Sequence, residues 1–149
     1  MNPKIAANIA ASIEVKQKIL SDGDFLQKIE TVIEVITTSF QNGNKVLFCG
    51  NGGSAADAQH LSAEFSGRFY KDRKALPSEA LHCNSSYLTA VANDYSYDVI
   101  YSRLVDGICM KGDVLVGLST SGTSKNILNA FATAKEKVFI TVGFTGEEC

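Results

Sequence analysis

The chain has 149 residues, 45% hydrophobic and 20% charged, which is enough for one domain with a buried core. Its net charge of -2 and lack of a basic stripe exclude non-specific binding to DNA or RNA, but leave room for a small phosphorylated ligand that needs only a few placed donors. No run approaches the ~20 apolar residues of a membrane span, and Met1 to Leu20 lacks a signal-peptide core, so a cytoplasmic protein without a membrane partner is expected. Cys49, Cys83, Cys109 and Cys149 are too widely spaced for a C-x-x-C pattern. Cys49 and Cys83 fall in apolar, strand-like runs and are expected to be buried free thiols.

Residues 2–20 set Ile5, Ile9, Ile13, Lys16 and Ile19 or Leu20 at helical spacing. A second stripe, Phe25, Ile29, Val32, Ile33, Ile36 and Phe40, is expected to be capped by Asp24 and to end at Asn42-Gly43-Asn44. A helical pair over 2–42 therefore precedes an α/β core over 45–149. The first helix comes before any strand, so its apolar side is expected to cover a partner subunit.

Val46-Leu47-Phe48-Cys49 reads as the first strand, stopping at Gly50-Asn51-Gly52-Gly53-Ser54 before a helix expected from about Ala55 to Phe69, with Leu61, Phe65 and Phe69 on its apolar side. A glycine-rich turn at a strand's carboxyl end lets backbone approach a ligand, and the helix start favours an anion. The turn has neither G-x-G-x-x-G nor a Walker lysine, so a tight strand-to-helix connection fits it as well. In that helix Asp57, His60 and Glu64 project to roughly one side, a candidate functional set or a solvated helix face.

Lys71-Asp72-Arg73-Lys74 reads as solvated surface before a loop at Pro77. Glu79 to Cys83 is a short strand candidate, with His82 expected as a satisfied core histidine. Ser85 to Asn93 reads as a helix, and Asp98 as the start of another through Val99, Leu104 and Ile108, ended by Gly112-Asp113. Val114 to Leu118 is a buried strand, followed by Ser119-Thr120-Ser121-Gly122-Thr123-Ser124 and a helix with Ile127, Leu128, Phe131 and Ala134. Five hydroxyls in six residues beside a helix start suit a phosphate, against the plainer reading of a capped helix in a Ser-rich loop. Val138 to Phe144 is expected as another buried strand. The alternation predicts a parallel sheet covered by helices on both faces, with both candidate turns at strand carboxyl ends, where such sheets bind ligands.

With GNGGSAADAQHLSAEFSGR at 50–68, ANDYSYD at 92–98 and STSGTSKN at 119–126, the chain resembles the sugar isomerase (SIS) domain family, and within it the bacterial phosphoheptose isomerases. The resemblance implies a three-layer α/β sandwich of flavodoxin-like strand order, formed by a single SIS domain over 1–149. It also implies an enzyme converting sedoheptulose 7-phosphate to D-glycero-D-manno-heptose 7-phosphate through an enediol, for lipopolysaccharide core heptose. It places the substrate phosphate on Ser119, Thr120, Ser121 and Ser124. The sugar falls to Asn51, Gly52, Gly53, Ser54, Arg68, Asn93 and Asp94, and the catalytic base to Glu64. One zinc per subunit, with His60 and Glu64 among its ligands, and a homotetramer are implied too. The family continues into a further strand and a C-terminal helix carrying a glutamine and a histidine of the site, and this chain is expected to stop short of them at Cys149. The alternatives are a SIS-fold scaffold that binds the replication initiator, or a sugar-phosphate sensing module. The intact Ala63-Glu64-Phe65-Ser66-Gly67-Arg68 favours the enzyme over the scaffold, and a sensor would need no Glu64.

Overall fold

The computed structural model describes residues 2–137 and 139–146, in two compact units, Met1–Val35 and Ile36–Cys149. Their boundary falls inside the second helix, not in the 42–45 turn where the sequence suggests a division. In the first unit, α1 (Pro3–Ser21) starts at Asn2, whose side chain accepts from the Lys4 N–H, and buries no residue. Ile5, Ile9 and Ile13 are all at least half exposed. Asp22, and not Asp24, caps α2 (Gly23–Gln41), accepting from the Phe25 N–H at 2.9 Å. Gly23 starts the helix two residues earlier than the expected cap at Asp24 implies, which puts Asp24 inside its first turn.

The second unit is built on a four-stranded parallel sheet ordered β2-β1-β3-β4. Its strands are β1 (Val46–Gly50), β2 (Ser78–Ala80), β3 (Val114–Ser119) and β4 (Ile140–Thr145). Side chains alternate across a strand. On one face Leu47, Cys49 and Leu115 join a core with Val91 of α4 (Ser85–Asp94), Ile100, Tyr101 and Val105 of α5 (Ile100–Ile108), and Ile127, Ala130 and Ala134 of α6 (Lys125–Glu136). On the other, Phe48 stacks on Phe65 of α3 (Gly53–Ser66), which in turn packs against Phe40 at the end of α2. The expected α/β sandwich and strand order are therefore present.

Several local expectations shift. Helix α3 ends at Ser66 and not at Phe69, because the Gly67 N–H closes on Ala63 O and Arg73 donates to the carbonyls of Glu64, Phe65 and Lys74. Residues 71–74 are exposed as expected, and Arg73 among them also caps the helix. Leu61 and Phe69 are exposed, and the buried side of α3 is Ala58, Ser62 and half-buried Phe65. Strand β2 is Ser78–Ala80, so His82 and Cys83 follow it in a turn. Cys83 is exposed, Cys49 is buried, and Cys149 lies outside the described residues. His82 is half-buried with its Nδ1 lacking a hydrogen-bond partner, so it is not the satisfied core histidine expected. A 3-10 turn (Tyr97–Val99), with Ser96 accepting from the Asp98 N–H, precedes α5. The strand expected over 138–144 appears as β4, with Val138 outside the described residues, and it is an edge strand whose Ile140 and Phe144 are exposed.

Asp113 does not end a helix. It lies just before β3, buried, where it accepts from Lys45 Nζ (2.6 Å), Lys45 N (3.0 Å) and Met110 N (2.7 Å). The Lys45 carbonyl accepts in turn from Val114 N. This clamp ties the amino ends of β1 and β3, whose register pairs Val46 with Val114 and Gly50 with Leu118. The turns that leave these neighbouring strands are thereby brought side by side.

Candidate active site

The first turn is shaped by close approach. A Cβ on Gly50 would stand 2.4 Å from the Ser54 carbonyl oxygen, so only glycine lets α3 begin so near the end of β1. Gly52 sits at the helix cap with φ of 56°, in the left-handed region that favours glycine. It offers no side chain, so no side chain caps α3. Buried Tyr101 donates its hydroxyl to the Gly50 carbonyl and holds the strand end. Burial pushes the Tyr101 pKa up and keeps the hydroxyl a donor.

The second turn begins where β3 ends at Ser119, whose carbonyl accepts from the Gly122 N–H at 3.1 Å. Ser124 occupies the cap position of α6 but makes no side-chain capping bond. Its hydroxyl instead lies 2.9 Å from the Ser119 hydroxyl. The plainer reading of this turn, a Ser-rich loop present to cap a helix, does not account for that arrangement. Ser121 accepts from Thr123 through both its hydroxyl (3.0 Å) and its N–H (3.3 Å).

The two turns meet. Asn51 Nδ2 donates to Asn126 Oδ1 at 2.9 Å and Asn126 Nδ2 donates to Asn51 Oδ1 at 2.8 Å, while Tyr97 donates to the same Asn51 oxygen at 3.1 Å. Beside this link is a cavity of about 190 Å³ lined by Asn51, Ser54, Leu118, Ser119, Thr120, Ser121 and Ser124. No carboxylate is among these residues, and two helices of 14 and 12 residues start at its wall without side-chain caps. Neutral donors and two positive helix ends suit a multiply charged oxyanion.

The other expected site residues lie outside this lining. Gly52 and Gly53 are exposed in the turn and the first position of α3. Glu64, with a side chain 30% exposed, lies in the last turn of α3, its Oε1 3.4 Å from Nε2 of exposed His60. Arg68 is exposed beyond the end of α3, and Asn93 donates to Asp94 at 3.0 Å at the exposed end of α4. Asp57 is exposed and does not join the His60 and Glu64 pair in a larger cluster. Among the described residues no group of three or more His, Cys, Asp or Glu could hold a metal. His60 and Glu64 offer two donors where zinc normally takes at least three from protein, so the described residues do not by themselves fit a zinc site.

Sequence reasoning missed Asn126, Tyr97, Tyr101 and Arg73. Only Asn126 carried a usable signal: it falls four residues before Ala130 and eight before Ala134, a polar residue on the helix's buried face.

This fold and paired-turn cavity define a class, and the chain belongs to it: the SIS domain family, whose profile matches residues 17–146. Within that family it is 51% identical over 144 residues to the phosphoheptose isomerase of Clostridium acetobutylicum, covering 97% of this chain and 74% of that one. It is likewise 51% identical over 146 residues to that of Aneurinibacillus thermoaerophilus, covering 98% and 74%. The structure of phosphoheptose isomerase GmhA from Neisseria gonorrhoeae superposes with a TM-score of 0.90 at 38% identity, over 98% of this chain and 75% of that chain. A phosphoheptose isomerase structure from Francisella tularensis gives 0.91 at 31% identity, over 98% and 76%.

Proposed function

We propose that the chain is an aldose-ketose isomerase interconverting sedoheptulose 7-phosphate and D-glycero-D-manno-heptose 7-phosphate, in heptose biosynthesis. The observation that carries this is the cavity where the two turns meet, lined by hydroxyls and an amide and lacking any carboxylate, in a chain 51% identical to phosphoheptose isomerases.

The phosphate sits among Ser119, Thr120, Ser121 and Ser124, where it gains hydroxyl donors and the positive ends of α3 and α6. Asn51 and Ser54 meet the adjoining sugar atoms, with Gly52 and Gly53 giving backbone access and Arg68, Asn93 and Asp94 reaching the rest of the chain. Glu64 is the base. It removes the proton on C1 of the ketose, the freed electron pair forms the C1–C2 double bond, and the C2 carbonyl oxygen takes up a proton to complete a cis-enediol. The Glu64 carboxyl exchanges its proton with water and delivers a proton to C2, and loss of the O1 proton leaves the C1 aldehyde. One carbon is oxidised as its neighbour is reduced, so the exchange balances within the substrate. Holding the phosphate supplies positioning, which turns proton transfer into a local event. His60, at 3.4 Å, orients the Glu64 carboxylate. None of these steps is routed through zinc.

The reaction belongs in the cytoplasm, on the route to lipopolysaccharide core heptose, in a homotetramer. Among the described residues no helix is long and apolar enough to cross a membrane, and the exposed row of Ile5, Ile9 and Ile13 supports burial of α1 against a second copy.

The test is turnover of sedoheptulose 7-phosphate by the protein beside Glu64→Gln. Loss of a general base should cost about 10²–10⁴-fold in kcat while inorganic phosphate still binds. Equal turnover in both would remove Glu64 from the mechanism. Phosphate binding without turnover in either would favour a sugar-phosphate-binding module.

A further inference from the structure

We propose that Asn126 is a positioning residue that sets the spacing of the two turns by locking the Asn51 side chain. Asn126 is 3% exposed, the second residue of α6, and its side-chain amide both donates to and accepts from one partner, Asn51. A buried amide must be satisfied, and a reciprocal pair fixes two side chains at once. Asn51 needs this help because it sits between Gly50 and Gly52, where the backbone has little stiffness of its own. The third member of the link, Tyr97, is tied to the same helix, since Asn129 Nδ2 donates to the Asp98 carbonyl at 2.9 Å. Asn126 and Asn129 are one helical turn apart. Helix α6 thus performs two tasks. The turn leading into it, ending at its cap Ser124, carries the hydroxyls of the cavity, and its first two turns hold the opposite wall at a set distance, directly through Asn126 and indirectly through Asn129 and Tyr97.

The kinetic part of the test rests on the isomerase reading, and the structural part does not. Asn126→Ala should lower kcat/KM for sedoheptulose 7-phosphate about tenfold or more, the factor expected from two neutral hydrogen bonds, and Tyr97→Phe should lower it by a few fold. In an Asn51→Ala background neither change should cost anything further, because the residue through which both act is gone. Equal losses in the two backgrounds would overturn the proposal and leave Asn126 an ordinary core residue. Should Asn126→Ala fail to fold, Asn126→Ser and Tyr97→Phe carry the same cycle. If the unsubstituted protein does not turn over the sugar phosphate, the isomerase reading fails, and the proposal is decided by crystal structures of Asn126→Ser and Tyr97→Phe. Displacement of the Asn51 amide from the cavity wall supports it, and an unmoved Asn51 refutes it.

Discussion

Replacing Asp113 by alanine should unfold the protein more readily than any surface substitution, because it removes the clamp that sets β1 beside β3. Asp113 is 1% exposed and the Lys45 side chain only 23%, so the substitution leaves an ammonium largely out of water. It also strips a partner from the Met110 and Lys45 N–H groups. Breaking a buried pair from one side costs about 3–5 kcal/mol, a large part of the ~5–15 kcal/mol that holds a domain together. For a chain of this size each kcal/mol moves Tm by about 2–4 °C, giving a drop of about 6–20 °C. Burial alone would raise the Asp113 pKa, but the hydrogen bonds from Lys45 Nζ, Met110 N and Lys45 N, with the Lys45 charge, outweigh it and hold the carboxyl below its usual range. A folded pKa below the unfolded one contributes stability above the unfolded value, about 3.9, which is lost as pH falls toward the folded value. The gap between the parent and Asp113→Ala in urea unfolding should therefore be constant from about pH 5 upward and shrink below about pH 4. Adding Lys45→Met to Asp113→Ala should recover part of the loss. A gap under ~1 kcal/mol at neutral pH, or one that widens on acidification, would refute the reasoning.

The phosphate turn and the thiols give two further expectations. Ser119→Ala combined with Ser124→Ala removes the hydroxyl pair 2.9 Å apart and should raise KM for the sugar phosphate about 10²–10⁴-fold, from two hydrogen bonds to a charged group worth ~1.5–3 kcal/mol each, with little change in far-UV circular dichroism. An unchanged KM would place the phosphate elsewhere. Burial lifts the Cys49 thiol to about 12, helped by Cys109, whereas Cys83 is exposed. A thiol reagent at pH 8 should label Cys83 before Cys49 and reach Cys49 only on unfolding. Early labelling of Cys49 would show that β1 is not the buried strand described.

Much of the architecture was legible because buried strands and the turns after them write themselves in composition. Val46 to Cys49 and Val114 to Leu118 are apolar on both faces, and each stops at a glycine or hydroxyl cluster. What periodicity could not convey was where an apolar residue ceases to be covered. Phe69 continues the spacing of α3, yet Gly67 and the Arg73 guanidinium close the helix before it. Strand β4 has the composition of a buried strand but lies at the sheet's edge with Phe144 exposed, because composition does not say whether another layer follows. The choice between Asp22 and Asp24 as cap turned on two residues of register around Gly23.

The candidate site was legible turn by turn from local pattern, and its assembly only through the family resemblance, which implied the strand order that sets β1 beside β3. Both loops could be named from residues 50–54 and 119–124, but that they share a cavity depends on the β1 and β3 pairing, which no local pattern encodes. Asn126 and Tyr97, which join the loops, belong to segments that read as helix start and turn. Glu64 and His60 were read as a pair from their spacing, and they are one at 3.4 Å.

The measurement closest to the central claim is the fate of the substrate hydrogen in D2O. Conversion of sedoheptulose 7-phosphate by this protein, followed by proton NMR, should deliver deuterium to C2 of the aldose, and Glu64→Gln should suppress both turnover and exchange. Turnover with the original hydrogen fully retained at C2, or exchange that persists undiminished in Glu64→Gln, would contradict an enediol made by that carboxylate.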